Sequence, residues 1–125
     1  MLIRYLTGLP MPLAEVSRDI INSDEELVVT DVVLAEAAFV LRSFYRVQRE
    51  ELVDSLVDFL SRHNLNVFRL RKDSVIEALE LCRPSNRVSV ADALIWAAAR
   101  NEQDSVIYTL DRRFPTEGVT LKRSV

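Results

Sequence analysis

Three short strand-like runs punctuate the chain: Leu27-Val28-Val29, Leu65 to Leu70 with Val67 and Phe68 at its centre, and Val106-Ile107-Tyr108. Each is separated from the next by two helix-length amphipathic stretches. Successive strands joined by helical crossovers pair in parallel, and a parallel sheet needs cover on both faces. The alternation therefore predicts an α/β fold in which a parallel sheet is flanked by helices.

Period and punctuation set the boundaries. Met1 to Leu6 opens without a cap and is followed by the breaker Gly8-Leu9-Pro10-Met11-Pro12. Leu13, Val16, Ile20 and Ile21 then recur at helical spacing, and Asn22 to Glu26 is a polar turn. Thr30 or Asp31 caps a helix that continues to about Tyr45, with Val33, Ala37, Val40, Leu41 and Phe44 on one stripe. Gln48 to His63 is amphipathic through Leu52, Val53, Leu56, Val57, Phe59 and Leu60. A helix over Asp73 to Cys82 is terminated by Pro84, the loop Ser85-Asn86-Arg87 follows, and Ser89 to about Asn101 is helical again. Val119 to Leu121 is a last short strand. The order is helix, helix, strand, helix, helix, strand, helix, helix, strand, strand.

With 125 residues there is room for a single domain over 1–125. Hydrophobic residues at 49% and charged residues at 28% supply a core and exclude a charge-extended disordered chain. Only two glycines, Gly8 and Gly118, are present, which disfavours turn-rich all-β folds and excludes a Gly-rich phosphate loop. Cys82 is the sole cysteine, so no intramolecular disulfide forms, and a small buried thiol in a reducing cytoplasm is expected. No apolar run approaches the ~18 residues that span a bilayer, and no secretion signal opens the chain. The net charge of −3 gives no overall basic field, although the 16 positive charges are 14 Arg and two Lys, Lys72 and Lys122.

Three carboxylates stand where a solvated charge is not expected. Glu36 lies among Leu34, Ala35, Ala37, Ala38 and Phe39; Asp92 among Val90, Ala91, Ala93, Leu94, Ile95 and Trp96; Asp111 directly follows the strand ending at Tyr108. A carboxylate in apolar surroundings must find a cation, donors or a metal, or take up a proton. Ligands of open α/β sheets bind outside the carboxyl ends of the strands, and all three residues fall in or shortly after such ends. Gathered there, they repel one another unless a hard dication neutralises them. Mg²⁺ or Mn²⁺ suits oxygen ligands better than Zn²⁺ does, since His63 and Cys82 belong to no ligand-spaced cluster.

Each residue also has a structural explanation. Ser89-Val90-Ala91-Asp92 matches a capping box, Glu36 is placed to pair with an arginine such as Arg42, and Asp111 before Arg112 and Arg113 suits a turn. His63 reads as a partner of a helix C-terminus, and Trp96 as core rather than a base-stacking platform. The faces around Phe39, Val40, Phe44, Leu56 and Phe59 serve either as core or as a partner surface.

Over essentially its whole length the chain resembles a PIN-domain ribonuclease, and more narrowly the VapC-type toxin of a VapBC toxin–antitoxin pair. The segments that carry the resemblance are Leu2-Ile3-Arg4-Tyr5-Leu6-Thr7-Gly8, Val29 to Glu36, Ser89 to Ile95, and Ile107 to Phe114. It implies a three-layer α/β/α domain in which Glu36, Asp92 and Asp111 are catalytic and hold Mg²⁺ or Mn²⁺ for endonucleolytic cleavage of RNA. Thr109 is then a supporting hydrogen-bonding residue, and Arg112 and Arg113 are candidates for RNA phosphate. An antitoxin of the VapB type and a second copy of the chain are the implied protein partners, in the cytoplasm. An RNA-processing nuclease without an antitoxin is a related alternative.

The resemblance also implies a hydrophobic strand ending in Asp, then Thr or Ser, then Asn, directly ahead of Met1. That strand is central to the sheet, and its aspartate is the fourth acidic residue. The expectation is that the native chain carries it. The alternative is a true truncation, leaving an inactive module that dimerises or binds an antitoxin, with the strands Leu27–Val29 and Val106–Tyr108 either unpaired on one edge or newly paired to each other.

Overall fold

A computed structural model describes residues 2–8, 11–85, 87–102 and 105–123. Leu9, Pro10, Asn86 and the Leu13 side chain, which belong to the expected breaker, loop and second helix, lie outside the described residues. The elements in chain order are α1 (Leu2–Thr7), α2 (Met11–Ile21), β1 (Leu27–Val29), α3 (Asp31–Ser43), α4 (Arg49–Leu60), β2 (Leu65–Val67), α5 (Lys72–Leu81), α6 (Val90–Asn101), β3 (Val106–Tyr108) and β4 (Thr120–Lys122). The fold is mixed α/β, with helices around short parallel strands.

The strands form two pairs. β1 runs parallel to β2 with Leu27 opposite Leu65 and Val29 opposite Val67, and β3 runs parallel to β4 with Val106 opposite Thr120 and Tyr108 opposite Lys122. Among the described residues β1 and β3 do not pair, so the expected single sheet is replaced by two two-stranded sheets. Three residues per strand provide few ladder bonds, so the helices supply most of the core. Leu34 of α3, Val53, Leu56 and Leu60 of α4, Val75 and Leu79 of α5, and Trp96 of α6 are fully buried. Each such aliphatic side chain contributes about 1.5–3 kcal/mol by leaving water.

Polar anchors fix what the short strands do not. Asn64, itself buried, donates through Nδ2 to the carbonyls of Ile21 (3.4 Å), Ser23 (2.9 Å) and Glu25 (3.0 Å), while its own carbonyl accepts from the Leu27 N–H at 2.7 Å. The turn after α2 is thereby lashed to the start of β2. α1 is seated on the end of α4: the Arg62 guanidinium donates to the Tyr5 hydroxyl and lies 5.2 Å from the centre of its ring.

Two helices present different faces from those expected. On α3 the buried residues are Leu34, Ala37, Ala38 and Leu41, whereas Val33 and Phe44 are 42% and 78% exposed. Ala37 and Ala38 let neighbouring helices approach closely, and α6 packs there. On α2 the same substitution of small for large occurs, with Ala14, Ser17 and Ile21 buried and Val16 and Ile20 turned outward. Phe68 falls beyond the end of β2 and is exposed.

Candidate functional site

The carboxyl end of β1 leads directly into Thr30, whose hydroxyl accepts from the Val33 N–H at 3.3 Å and caps α3. Glu36 follows on the second turn. It is exposed, shares its face with exposed Val32 and Phe39, and has no hydrogen bond or ion pair with a described residue, Arg42 included. A carboxyl group is therefore presented to solvent between two apolar side chains of the same helical face.

Asp92 is held more closely. Ser89 caps α6, its hydroxyl accepting from the Asp92 N–H at 3.1 Å, and the half-buried Asp92 carboxylate sits in the first turn, where the helix dipole favours negative charge. The reciprocal bond of a full capping box, from the Ser89 N–H to the carboxylate, is not among those formed by the described residues, so the carboxylate keeps its acceptor capacity. It lies near Cys82: burial pushes that thiol from 9.0 up to about 11, and the Asp92 charge adds to the effect.

Asp111 hangs from the end of β3. Thr109 Oγ1 accepts from the Asp111 N–H at 3.0 Å, and Asp111 Oδ1 accepts from the Arg113 N–H at 2.9 Å, with Arg113 Nε at 3.5 Å. These bonds build the turn that sequence reasoning held open as the structural explanation, and they place Thr109 in support of Asp111 through its backbone. The loop is pinned from below by buried Phe114 and by Trp96, whose indole N–H donates to the Glu117 carbonyl at 2.8 Å. Arg112 is exposed.

Among the described residues, no three His, Cys, Asp or Glu side chains come together to hold a metal ion. Glu36, on the helix that follows β1, and Asp111, in the turn that follows β3, come after strands of separate sheets, so no shared ladder draws their carboxylates together. The donor chemistry fits Mg²⁺ or Mn²⁺. Mg²⁺ is commonly held by one or two carboxylates together with waters and substrate phosphate, so these residues fit as part of a coordination shell rather than as a closed cage.

A second feature escaped sequence reasoning. Arg42, Arg46, Arg49 and Arg83, with Val47, Gln48, Glu50 and Pro84, line a hollow of about 710 Å³. It adjoins an apolar hollow of about 150 Å³ that shares Arg42, Val47 and Arg49 and runs past Phe39 and Cys82 to Ser89, Val90 and Ala91, the turn that leads into Asp92. Arg42, Arg46 and Arg49 stand close together in the chain, a clustering that sequence reasoning did not single out, and Arg83 joins them from the loop after α5.

The PIN domain family pattern matches residues 1–116, a span that contains Glu36, Asp92, Thr109, Asp111, Arg112 and Arg113. No curated protein and no solved structure matches the chain. With short parallel strands among helices and the match covering nearly its whole length, the chain belongs to the PIN domain family.

Proposed function

We propose that this protein is a Mg²⁺- or Mn²⁺-dependent endoribonuclease acting as the toxin of a type II toxin–antitoxin pair, with Glu36, Asp92 and Asp111 as its acidic site residues. PIN domains form a nuclease superfamily that is generally metal-dependent, which supports the coarser reading. The observation that carries the finer one is the setting of Asp92: half-buried, at the Ser89-capped start of α6, directly after Ser89–Ala91, which line an apolar hollow, with its acceptor oxygens unspent among the described residues.

A bound dication would lower the pKa of an attacking water and offset charge on the leaving oxygen. The chain's own residues do the rest. Asp92 and Glu36 provide oxygen ligands, Thr109 orients the Asp111 turn, and Arg112 and Arg113 meet RNA phosphate. A VapB-type antitoxin and a second copy of the chain are the protein partners in this reading, and the cytoplasm is its compartment. No helix of the described residues is long and apolar enough to cross a membrane.

The decisive experiment incubates purified protein with RNA in Mg²⁺, Mn²⁺ or EDTA. Cleavage in either metal and none in EDTA is the expected result. Growth arrest on expression, relieved by the product of the adjacent gene, separates a toxin from an RNA-processing nuclease.

Among the described residues, the lack of pairing between β1 and β3 and of a carboxylate cluster favours one second reading, a non-catalytic PIN-like module that binds a partner. Absence of cleavage in both metals, with the fold intact, selects it.

A further inference from the structure

We propose that the arginine-rimmed hollow where α3 meets α4 is the docking groove for the backbone of a single-stranded RNA, with the adjoining apolar hollow receiving a base. The proposal rests on the nuclease reading above and adds to it a specific binding surface that reaches from the turn before Asp92 outward to the arginines.

Charge is the first argument. Four guanidinium groups line the larger hollow against one carboxylate, that of Glu50. Arg83 is committed, its Nη1 lying 2.6 Å from Asp54 and its Nε 2.7 Å from Glu80. Arg42 and Arg46 make no hydrogen bond or ion pair with any described residue, and Arg49 lines both hollows. A concentration of cations in a protein of net charge −3 is a local field, and forked guanidinium groups match phosphate oxygens.

Backbone conformation is the second. Arg46 has φ +54°, the left-handed region that favours glycine, and the Val47 N–H closes the end of α3 by donating to the Leu41 carbonyl at 2.9 Å across it. A long cationic side chain occupies a position where glycine is the easier residue. Arg46 lines the hollow from this strained turn.

Continuity is the third. The apolar hollow shares Arg42, Val47 and Arg49 with the larger one and is also lined by Phe39, which is 70% exposed, and by Ser89 to Ala91, the residues before Asp92. Alternation of cations with an exposed aromatic ring is how single strands are held without a sequence code, phosphate on arginine and base on ring. A strand laid along this path leads its backbone toward the α6 N-terminus.

Binding of a fluorescein-labelled 12-nucleotide single-stranded RNA, followed by anisotropy in EDTA so that no cleavage intervenes, tests the proposal. Arg42→Ala and Arg46→Gly should each weaken binding about tenfold, the size of one charge-assisted hydrogen bond. Each should also reduce the slope of log K against log salt by about 0.7. Arg46→Gly should do so with an unchanged or raised melting temperature, which a merely structural role does not predict. Phe39→Ala should weaken binding and leave the salt slope unchanged.

RNA affinity and salt slope unaltered in Arg42→Ala and Arg46→Gly would overturn the proposal, as would absence of RNA binding by the wild-type protein. Loss of self-association in these variants with RNA binding intact would assign the hollow to a second copy and equally overturn it. Arginine-dependent binding without cleavage in Mg²⁺ or Mn²⁺ upholds the groove and removes the nuclease reading, whereas cleavage with arginine-independent binding does the reverse.

Discussion

The indole N–H of Trp96 donates to the backbone carbonyl of Glu117 at 2.8 Å, joining α6, which carries Asp92, to the connection that carries Asp111. Arg100 completes the joint: its guanidinium lies 4.7 Å from the Trp96 ring centre, pairs with Glu77 at 2.9 Å, and covers Gly118. Two of the three proposed site carboxylates are thus linked through the core rather than through a sheet. Trp96→Phe removes the donor and should cost about 1–3 kcal/mol in denaturant unfolding, with RNA cleavage falling further than stability explains.

Gly118 has φ +70°, and a Cβ there would stand 3.2 Å from Arg100 Nε. Gly118→Ala should therefore destabilise the protein by about 1–2 kcal/mol, from the strained backbone and displacement of Arg100. Gly8, also at positive φ, has nothing within 4 Å of an added Cβ, so Gly8→Ala should show the backbone cost alone. Urea midpoints of the two variants compare the effects.

Asn64 serves three carbonyls with one amide group. Asn64→Leu keeps similar bulk but removes the buried donor that holds those three carbonyls, and should lower stability by about 1–3 kcal/mol. Amide exchange at Leu27 and Val28 should accelerate as the α2–β1 turn loosens.

Cys82 gives a pH signature. Its thiol is pushed up to about 11 from 9.0, by burial first and by Asp92 second. The unfolded chain therefore loses its thiol proton first, so stability is insensitive to this group below about pH 9 and falls as pH rises toward 11, by about 2–3 kcal/mol in all. Cys82→Ala should remove that alkaline loss. Folded protein at pH 7.5 should react with iodoacetamide far more slowly than urea-unfolded protein.

Much of this fold is legible in the sequence. Leu27–Val29 and Val106–Tyr108 stand out as strands because β-branched runs are bounded by polar punctuation, and the Ser89 cap marks the start of α6. Which face of α3 is buried is not legible, because the helix carries two apolar stripes and periodicity does not say which one has a neighbour. Ala37 and Ala38 permit close packing, so Leu34 goes inward and Val33 and Phe44 remain outside. Glu36, Asp92 and Asp111 can be picked out by their placement after strands and at helix starts. Their mutual spacing depends on how β1 and β3 are related across the fold, a long-range property no local pattern encodes. The arginine hollow is hidden in part for the same reason: Arg42, Arg46 and Arg49 are close in the chain, but Arg83 joins them only through α3–α4 and α4–α5 packing.

The central claim is that Asp92 is part of a metal-dependent ribonuclease site, and RNA cleavage by Asp92→Asn in Mg²⁺ or Mn²⁺ tests it most directly. The Ser89 cap uses the Asp92 backbone N–H rather than its carboxylate, so the variant should fold, with a melting temperature close to that of the wild type. Cleavage should drop by at least about 100-fold. Wild-type cleavage rates in a folded Asp92→Asn protein would contradict the account.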